Sequence, residues 1–320
     1  MKPQRKCIVT KTYTLLHFKE FMKIGLALGA GAARGWAHIG IIEALEEMGV
    51  QIDVVAGCSI GAYVGSAYAS GHLEELKEWA CSLNEWQILT LLGVGINTGG
   101  IASGKRVFEK LMDEFSVPNF AQMQKPFAVT ATDMHTGREV VFKEGEIGES
   151  IRASCAIPGL FAPVKYQGRW LIDGAVVNPV PVNLCRQLGA DVVIAVNLAA
   201  DFRPEMIEKF SVEHTESQRK TDEFLARNTS LLRSWFSPDK SKEQDSPPGI
   251  MSVMSSALDI MQARVTRSRL AGDPPHILIE PHLRNVGILE FNRAEELIQN
   301  GREAVERLAE QIDYQLSYVR

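Results

Sequence analysis

A serine flanked by two glycines is the first feature of this sequence that could carry chemistry. The stretch Gly57-Cys58-Ser59-Ile60-Gly61 fits the pattern G-x-S-x-G, in which a strand turns sharply into a helix and exposes a serine hydroxyl. An apolar segment precedes it and a small-residue segment follows it, as such a turn requires. The pattern also occurs around serines that only form turns. In this context we predict that Ser59 is a nucleophile and that Gly57 and Gly61 permit the turn.

An aspartate further along the chain is the candidate base. Asp173-Gly174-Ala175 follows a short apolar segment, and Gly174 would let the chain turn at the end of a strand. A carboxylate at that point could face the same sheet edge as Ser59 and accept its proton. An Asp-Gly pair on its own is more typical of an ordinary hairpin turn. The prediction therefore depends on Ser59 and Asp173 being brought together.

A catalytic triad with a histidine is the alternative mechanism. In α/β-hydrolases the order along the chain is serine, acid, histidine, and His214, His276 and His282 all follow Asp173. His214 falls in a polar stretch, whereas the other two flank a predicted strand and are explained as edge residues. We therefore favour a dyad in which Asp173 acts directly on Ser59.

A glycine-rich loop at residues 29–35, with the sequence GAGAARG, could complete an acyl-transfer site. Consecutive backbone N–H groups at a strand-to-helix turn can point into one space and hold a developing oxyanion. Nucleotide phosphate binding is the alternative for such a loop. However, the loop lacks the GK[ST] ending of a P-loop and has Arg34 where the third glycine of G-x-G-x-x-G belongs. An oxyanion hole is therefore the preferred interpretation.

The elements that must position these residues follow an alternating order. Residues 23–28 are predicted to form a buried strand that is followed by a helix over 36–48. Residues 53–56 are predicted to form a second buried strand, which is followed by a small-residue helix that ends near Gly71. Strand, loop and helix in this order imply parallel pairing with right-handed crossovers. Further strands are predicted at 127–132, 139–142, 164–172, 191–198 and 276–280, and helices at 252–271 and 291–316. The fold class is α/β, with a mostly parallel central sheet flanked by helices in three layers.

The bulk composition is that of one large globular domain. Hydrophobic residues make up 45% and charged residues 23% of 320 residues, which excludes a fibrous or wholly disordered protein. We interpret residues 1–22 as a flexible leader and 23–320 as the functional domain, with a polar, partly disordered insertion at about 201–250. The formal net charge of -5 gives no basic footprint, so we predict no nucleic-acid partner.

The cysteines and the apolar segments are the basis for predicting the cellular compartment of the protein. Five scattered cysteines without CxxC spacing favour neither a disulfide framework nor a zinc site. The N-terminus is too polar for a signal peptide, and the apolar run at 54–69 is too short to span a membrane. We predict a cytoplasmic protein, with peripheral contact at the inner membrane surface as an option. Residues 221–236 could dock on a bilayer or cover a pocket, although packing on their own domain is the simpler interpretation.

Together these segments resemble the patatin-like phospholipase family, in particular its bacterial branch related to neuropathy target esterase. The resemblance runs through LALGAGAARGWAHIGII from Leu26, AGCSIG from Ala56, IRASCAIPGLFAPV from Ile151 and LIDGAVVNPVPV from Leu171. It covers most of residues 22–200 and implies a patatin-like sandwich. It also implies a serine acyl hydrolase for lipids, with no metal or organic cofactor.

The resemblance assigns roles to particular residues. Ser59 would be the nucleophile and Asp173, within a DG[GA] motif that includes Gly174 and Ala175, would be its base. The implied oxyanion hole is formed by the backbone of Gly29, Ala30, Gly31, Ala32, Ala33 and Arg34. Two of these residues depart from the family pattern, because Ala30 and Ala32 stand where glycines are usual. An alanine keeps its N–H, so the hole is retained at negative φ and distorted at positive φ.

The sequence therefore supports two functions of different kinds. The first is hydrolysis of acyl-ester lipids through a Ser59/Asp173 dyad and a covalent acyl-enzyme. The second is a non-catalytic or weakly catalytic regulatory protein that binds acyl lipids or a protein partner, which the two alanines favour.

Overall fold

Two short apolar segments form the centre of a parallel sheet in the computed structural model, which describes residues 22–97, 100–200 and 250–317. The strands are β1 Ile24–Leu28, β2 Val54–Cys58, β3 Val94–Asn97, β4 Gly100–Ala102, β5 Phe127–Asp133, β6 Glu139–Phe142, β7 Val164–Tyr166, β8 Arg169–Asp173, β9 Val192–Val196 and β10 Ile277–Ile279. The main sheet has the order β10-β9-β1-β2-β5-β8-β7, with β6 also paired to β5. Strands β10, β9, β1, β2 and β5 are parallel, and β6, β7 and β8 are antiparallel additions.

Helices cover both faces of this sheet. They are α1 Ala37–Glu47, α2 Ile60–Ser70, α3 Leu73–Ser82, α4 Glu85–Leu92, α5 Lys105–Lys110, α6 Ile147–Ser154, α7 Val182–Gln187, α8 Ile250–Gly272, α9 Ala294–Glu306 and α10 Ala309–Leu316. Side chains alternate along β1: Leu26 and Leu28 join the larger core with α1 and α2, whereas Ala27 joins a smaller core with α7. The predicted three-layer α/β class is therefore confirmed.

Strand β5 brings two other strands end to end. Val129 and Thr130 pair with β2 on one edge and with β6 on the other. Ala131 and Thr132 pair with β6 and with β8. A strand has only two edges, so β8 must lie on the same edge of β5 as β2. The carboxyl ends of β2 and β8 therefore meet on this edge of β5, where they pair with consecutive residues of that strand.

Most predicted elements are present, but one helix prediction is wrong. The spacing of apolar residues favours a continuous helix over 291–316, whereas the structure has α9, a break at Arg307 and Leu308, and then α10. Leu308 has φ −106° and ψ 5°, outside helical geometry. Buried side chains continue at helical spacing across the break, through Val305 to Ile312 and Leu316, so periodicity alone does not reveal it.

Several segments of the sequence-based interpretation lie outside the described residues. They include all but the last residue of the 1–22 leader, nearly all of the insertion at about 201–250, the segment 221–236, and His214. Among the residues that the structure does describe, no helix is both long enough and apolar enough to cross a bilayer.

Helices α1 and α9 pack with their backbones almost in contact. A Cβ built on Gly301 would lie 2.2 Å from the carbonyl oxygen of Ala37, and one on Gly40 would lie 1.9 Å from that of Ile298. Arg302 donates hydrogen bonds to Glu43 and Glu47 of α1 beside this contact. The C-terminal helix therefore supports the helix that follows the glycine-rich loop.

Substitution Gly301→Ala is expected to lower the free energy of unfolding by about 2–3 kcal/mol, because the new methyl group would collide with backbone that cannot rotate away. Gly272→Ala is the matched control, since a Cβ there meets no atom within 4 Å. It should change stability by less than about 0.5 kcal/mol. Urea denaturation of both variants checks this, and equal stabilities would contradict the close packing.

Candidate active site

Ser59 and Asp173 meet where β2 and β8 face each other. Ser59 follows the last residue of β2, and Asp173 is the last residue of β8. The Ser59 Oγ donates a hydrogen bond of 2.6 Å to Asp173 Oδ2, and both residues are only 3% exposed. The structure thus brings together the two side chains that the sequence singled out, although 114 positions separate them.

The turn at Ser59 is strained, and its glycines supply room. Ser59 itself has φ 54° and ψ −124°, which costs a non-glycine residue about 1–3 kcal/mol. A Cβ on Gly61 would lie 2.2 Å from the Leu28 carbonyl oxygen, and one on Gly57 would lie 2.5 Å from the Gly61 carbonyl oxygen. Gly61 therefore permits close approach between the start of α2 and the end of β1, and Gly57 permits it between the end of β2 and the start of α2, while the serine carries the unusual dihedral angles.

Ser154 is a site residue that sequence reasoning missed. Its Oγ accepts a 2.8 Å hydrogen bond from the backbone N–H of Ser59, and its side chain is fully buried at the end of α6. This bond ties the strained turn to α6 and holds Ser59 in position. Ser154 lies within the segment IRASCAIPGLFAPV, but no spacing rule relates it to Ser59, so only the resemblance drew attention to that segment.

Burial makes Asp173 a stronger base than an exposed aspartate. Desolvation raises the pKa of its carboxyl group to about 7, whereas the hydrogen bonds from Ser59 and from the Ala175 N–H act in the opposite direction. The Thr132 hydroxyl donates to the Asp173 carbonyl oxygen at 2.8 Å. A Cβ on Gly174 would lie 2.4 Å from the Thr130 carbonyl oxygen, so only glycine lets the chain pass β5 here.

The pKa of Asp173 predicts the pH dependence of any reaction in which it accepts a proton. The ionised fraction should rise about tenfold per pH unit up to about pH 7 and then level off. We therefore expect kcat/KM for an uncharged short-chain ester to follow this curve. Initial rates in buffers of constant ionic strength measure it. A flat profile between pH 5 and pH 9 would contradict a role for Asp173 as base.

Four of the six N–H groups in the glycine-rich loop are already occupied. They bind backbone carbonyl oxygens: Gly29 to Val196, Ala30 to Pro179, Ala33 to Ile288 and Arg34 to Gly31. Among the described residues, no acceptor is found for the N–H groups of Gly31 and Ala32. These two donors are therefore the ones left in the loop for an oxyanion.

The two alanines of the loop differ in conformation. Ala30 keeps a φ outside the left-handed region, whereas Ala32 has φ 49°, a value that costs an alanine about 1–2 kcal/mol relative to glycine. Ala32 nevertheless lines the pocket that contains Ser59. Backbone strain at Ala32 therefore lowers the stability of the native state at this site, in addition to the strain at Ser59.

The side chains of Arg34 and His38 anchor the glycine-rich loop through hydrogen bonds to backbone carbonyl oxygens. The Arg34 Nε donates a 2.9 Å hydrogen bond to the Val286 carbonyl oxygen. The His38 Nε2 lies 2.8 Å from the Gly29 carbonyl oxygen and must donate, because that oxygen can only accept. Burial lowers the pKa of His38 to about 4, so its ring is neutral near pH 7. The first contact ties the loop to the segment at Val286, and the second ties the Gly29 carbonyl group to α1.

An apolar pocket opens onto Ser59. It encloses about 680 Å³ of space, the open solvent at its mouth included. Its walls come from α2 to α5, from the segment after α6, and from the segment before α9, which contributes Leu289 and Phe291. Tyr63, whose phenol bonds the Val107 carbonyl oxygen, brings the only side-chain hydroxyl to this lining besides Ser59. Such a lining suits a hydrocarbon chain.

The model of the patatin-like phospholipase family matches residues 26–186. The chain belongs to this family. An uncharacterized NTE family protein of Mycobacterium tuberculosis is 34% identical over 321 residues, covering 88% of this chain and 89% of that protein. Neuropathy target esterase of Drosophila melanogaster is 30% identical over 184 residues, covering 55% of this chain and 13% of that protein. A lysophospholipase of Pyricularia oryzae is 26% identical over 290 residues, covering 87% of this chain and 18% of that protein.

The family assignment confirms the resemblance seen in the sequence and supports lipid acyl hydrolysis in general. The matched residues contain the glycine-rich loop, Ser59 and Asp173, but end before the segment that contributes Leu289 and Phe291. In this patatin-like chain, part of the pocket wall therefore comes from outside the matched region.

Of the three histidines proposed for the rival triad, the two that the structure describes do not bond Asp173. His276 Nδ1 accepts a hydrogen bond from the Val193 N–H near the start of β9, at the opposite end of the parallel strands from Ser59, and His282 is exposed. Within the described ranges, the Asp173 carboxylate bonds only Ser59 and Ala175. Those ranges also contain no group of three His, Cys, Asp or Glu side chains that could hold a metal ion.

Proposed function

We propose that this protein hydrolyses the acyl esters of lipids with Ser59 as nucleophile and Asp173 as base. The observation that carries the proposal is the 2.6 Å hydrogen bond between these side chains at an apolar pocket. Phospholipase, lysophospholipase and carboxylesterase activities share this chemistry. The names of the relatives agree with it, because one is an esterase and another a lysophospholipase.

The first half of the reaction forms an acyl-enzyme. Ser59 Oγ attacks the ester carbonyl carbon while its proton passes to Asp173 Oδ2, which requires the ionised carboxylate. The carbonyl oxygen becomes an oxyanion, and the N–H groups of Gly31 and Ala32 are the loop donors available to it. When the intermediate collapses, the leaving alcohol takes the proton from Asp173 and the acyl group remains on Ser59.

The second half returns the enzyme to its starting state. A water molecule gives a proton to Asp173 and attacks the acyl carbon, and the same donors stabilise the second oxyanion. Collapse releases the fatty acid and restores the proton to Ser59 Oγ. The apolar pocket holds the acyl chain during both halves, so the alcohol side of the ester must lie towards solvent.

Labelling with a fluorophosphonate probe tests this proposal, because the probe reacts with activated serines. We expect labelling and ester turnover by wild type, loss of both in Ser59→Ala, and little change in the double variant His276→Ala/His282→Ala. The substrates are a short p-nitrophenyl ester and a lysophospholipid. If the histidine variant loses turnover while Asp173→Asn keeps it, the dyad is excluded.

A binding protein without turnover is the second candidate, favoured by the positive φ of Ala32. A passive pocket would bind acyl lipids but would not react with the probe. Absence of both labelling and turnover in folded wild type, together with saturable binding of a fluorescent fatty acid, would establish this alternative. The same measurements therefore discriminate between the two functions.

A further inference from the structure

Two neighbouring turns form an exposed patch that none of the steps above uses. The first is the turn from β5 to β6, residues 133–138, and the second is the tip of the β7–β8 hairpin, residues 165–170, whose turn itself is Gln167 and Gly168. They are joined by a 2.9 Å hydrogen bond from the Met134 N–H to the Trp170 carbonyl oxygen. We call these residues the two-turn patch.

The two-turn patch lies at the same end of the sheet as the Ser59/Asp173 pair. Strand β8 runs towards Ser59 and ends at Asp173, on the same edge of β5 as β2. Trp170 precedes Asp173 by three residues, which places it about 10 Å beyond the Ser59/Asp173 pair in the strand direction. The patch therefore projects from the end of the sheet at which Ser59 and Asp173 meet.

Large apolar side chains at the patch are exposed to solvent. Met134 is 47% exposed and Trp170 is 40% exposed, among the most exposed large hydrophobic residues in the described structure. The Lys165 ammonium group lies 5.8 Å from the centre of a Trp170 ring. Tryptophan with an adjacent cation is a combination enriched at the interface between a bilayer and water.

The charge of the two-turn patch is opposite to that of the whole chain. Its exposed charged side chains are Arg138, Lys165 and Arg169, all cationic. Within the two turns the one carboxylate is that of Asp133, which is buried and accepts hydrogen bonds from the N–H groups of its own turn. The full chain has a net charge of -5, so these cations form a local attraction for an anionic surface.

We propose that the two-turn patch docks the protein on bilayers that contain anionic lipids and so presents the acyl pocket to the membrane. Met134 and Trp170 enter the headgroup region, and Arg138, Lys165 and Arg169 contact anionic headgroups. The docking proposal extends the proposed function, and it rests on that function only in assuming that the substrate is a lipid. Binding through two surface turns is reversible and falls with ionic strength.

Vesicle co-sedimentation in a Ser59→Ala background tests the docking without consuming lipid. Vesicles of phosphatidylcholine with phosphatidylglycerol are compared with vesicles of phosphatidylcholine alone. One variant neutralises the patch (Lys165→Gln/Arg169→Gln) and a second removes its apolar groups (Met134→Ser/Trp170→Ser). The matched control, Lys143→Gln/Arg307→Gln, removes the same charge elsewhere, since Lys143 follows the end of β6 that lies opposite to the patch.

We expect binding to anionic vesicles, roughly 30-fold weaker binding by the neutralised variant at low salt, and little change in the control. The apolar variant should also bind more weakly. Unchanged thermal unfolding midpoints ensure that all variants are folded. Equal loss in the control, equal binding of wild type to both vesicle types, or no binding by wild type would each overturn the proposal. Because binding is measured without turnover, each result holds whether or not the esterase proposal survives.

Discussion

Replacing Asp173 with asparagine is expected to lower kcat/KM for acyl esters by roughly 10³- to 10⁴-fold, the usual contribution of a general base to a serine nucleophile. Asparagine has the same shape, so it can still accept the Ala175 N–H while its amide bonds Ser59. Only the capacity to take the Ser59 proton is lost. Initial rates on a short p-nitrophenyl ester measure the effect, and retention of more than about a tenth of the activity would exclude Asp173 as the base.

The same variant should be more stable than wild type at alkaline pH. Burial raises the pKa of Asp173 from 3.8 to about 7, so its protonated form stabilises the native state at low pH and this contribution is lost as the pH rises through 7. Asparagine does not titrate. We expect Asp173→Asn to exceed wild type by about 2–4 kcal/mol at pH 8 and to differ little near pH 4.

Denaturation at these two pH values checks the expectation, with Asp191→Asn as the control. Asp191 is exposed and binds only the Lys23 N–H through its side chain in the described structure, so its replacement should leave activity unchanged. A variant at position 173 that is both inactive and less stable at pH 8 would show that Asp173 serves packing and not proton transfer.

Replacing Ser59 with alanine is expected to reduce turnover by roughly 10⁴-fold or more, since no covalent intermediate can form. Ser59 and Asp173 act on the same proton, so the double variant Ser59→Ala/Asp173→Asn should be no slower than Ser59→Ala alone. Burst kinetics and single-turnover acylation provide the measurement. Multiplicative losses in the double variant would indicate that the two residues act independently.

Ser66→Ala is the matched control for this substitution. Ser66 is a buried serine of α2, the helix that follows Ser59, and its hydroxyl bonds Ser116 instead of a site residue. Its loss should leave the rate within a few-fold of wild type, because the altered group is far from the reacting atoms. A comparable collapse of activity in both variants would point to damage of α2 rather than loss of a nucleophile.

Much of this architecture is predictable from local patterns. Strands β1 and β2 are short apolar segments bounded by glycine or polar residues, and the turn at Ser59 is encoded within five consecutive residues. Such patterns depend on backbone geometry over a few residues, which a sequence displays directly. The break at Leu308 was missed because apolar spacing continues across it while the backbone changes direction.

The contacts at the site that sequence reasoning missed are formed between residues far apart in the chain. Ser154 supports Ser59 from 95 positions away, and the Val286 carbonyl oxygen binds Arg34 across 252 positions. The local sequence around each of these residues contains no pattern that predicts its partner. Similarly, the sequence named six loop residues for the oxyanion hole. The bonds to Val196, Pro179, Ile288 and Gly31 occupy four of their N–H groups, so that within the described residues Gly31 and Ala32 keep theirs without an acceptor.

The sequence by itself determined the α/β class and the family resemblance, and it singled out Ser59 and Asp173 as the candidate pair, because each depends on residue type and on short-range spacing. The tertiary structure decided that β8 abuts β2 along β5, and hence that the two side chains share a hydrogen bond. It also decided that Asp173 is buried enough to raise its pKa to about 7. Register between distant strands and desolvation of a carboxylate depend on the whole packed fold, which is why no local pattern contains them.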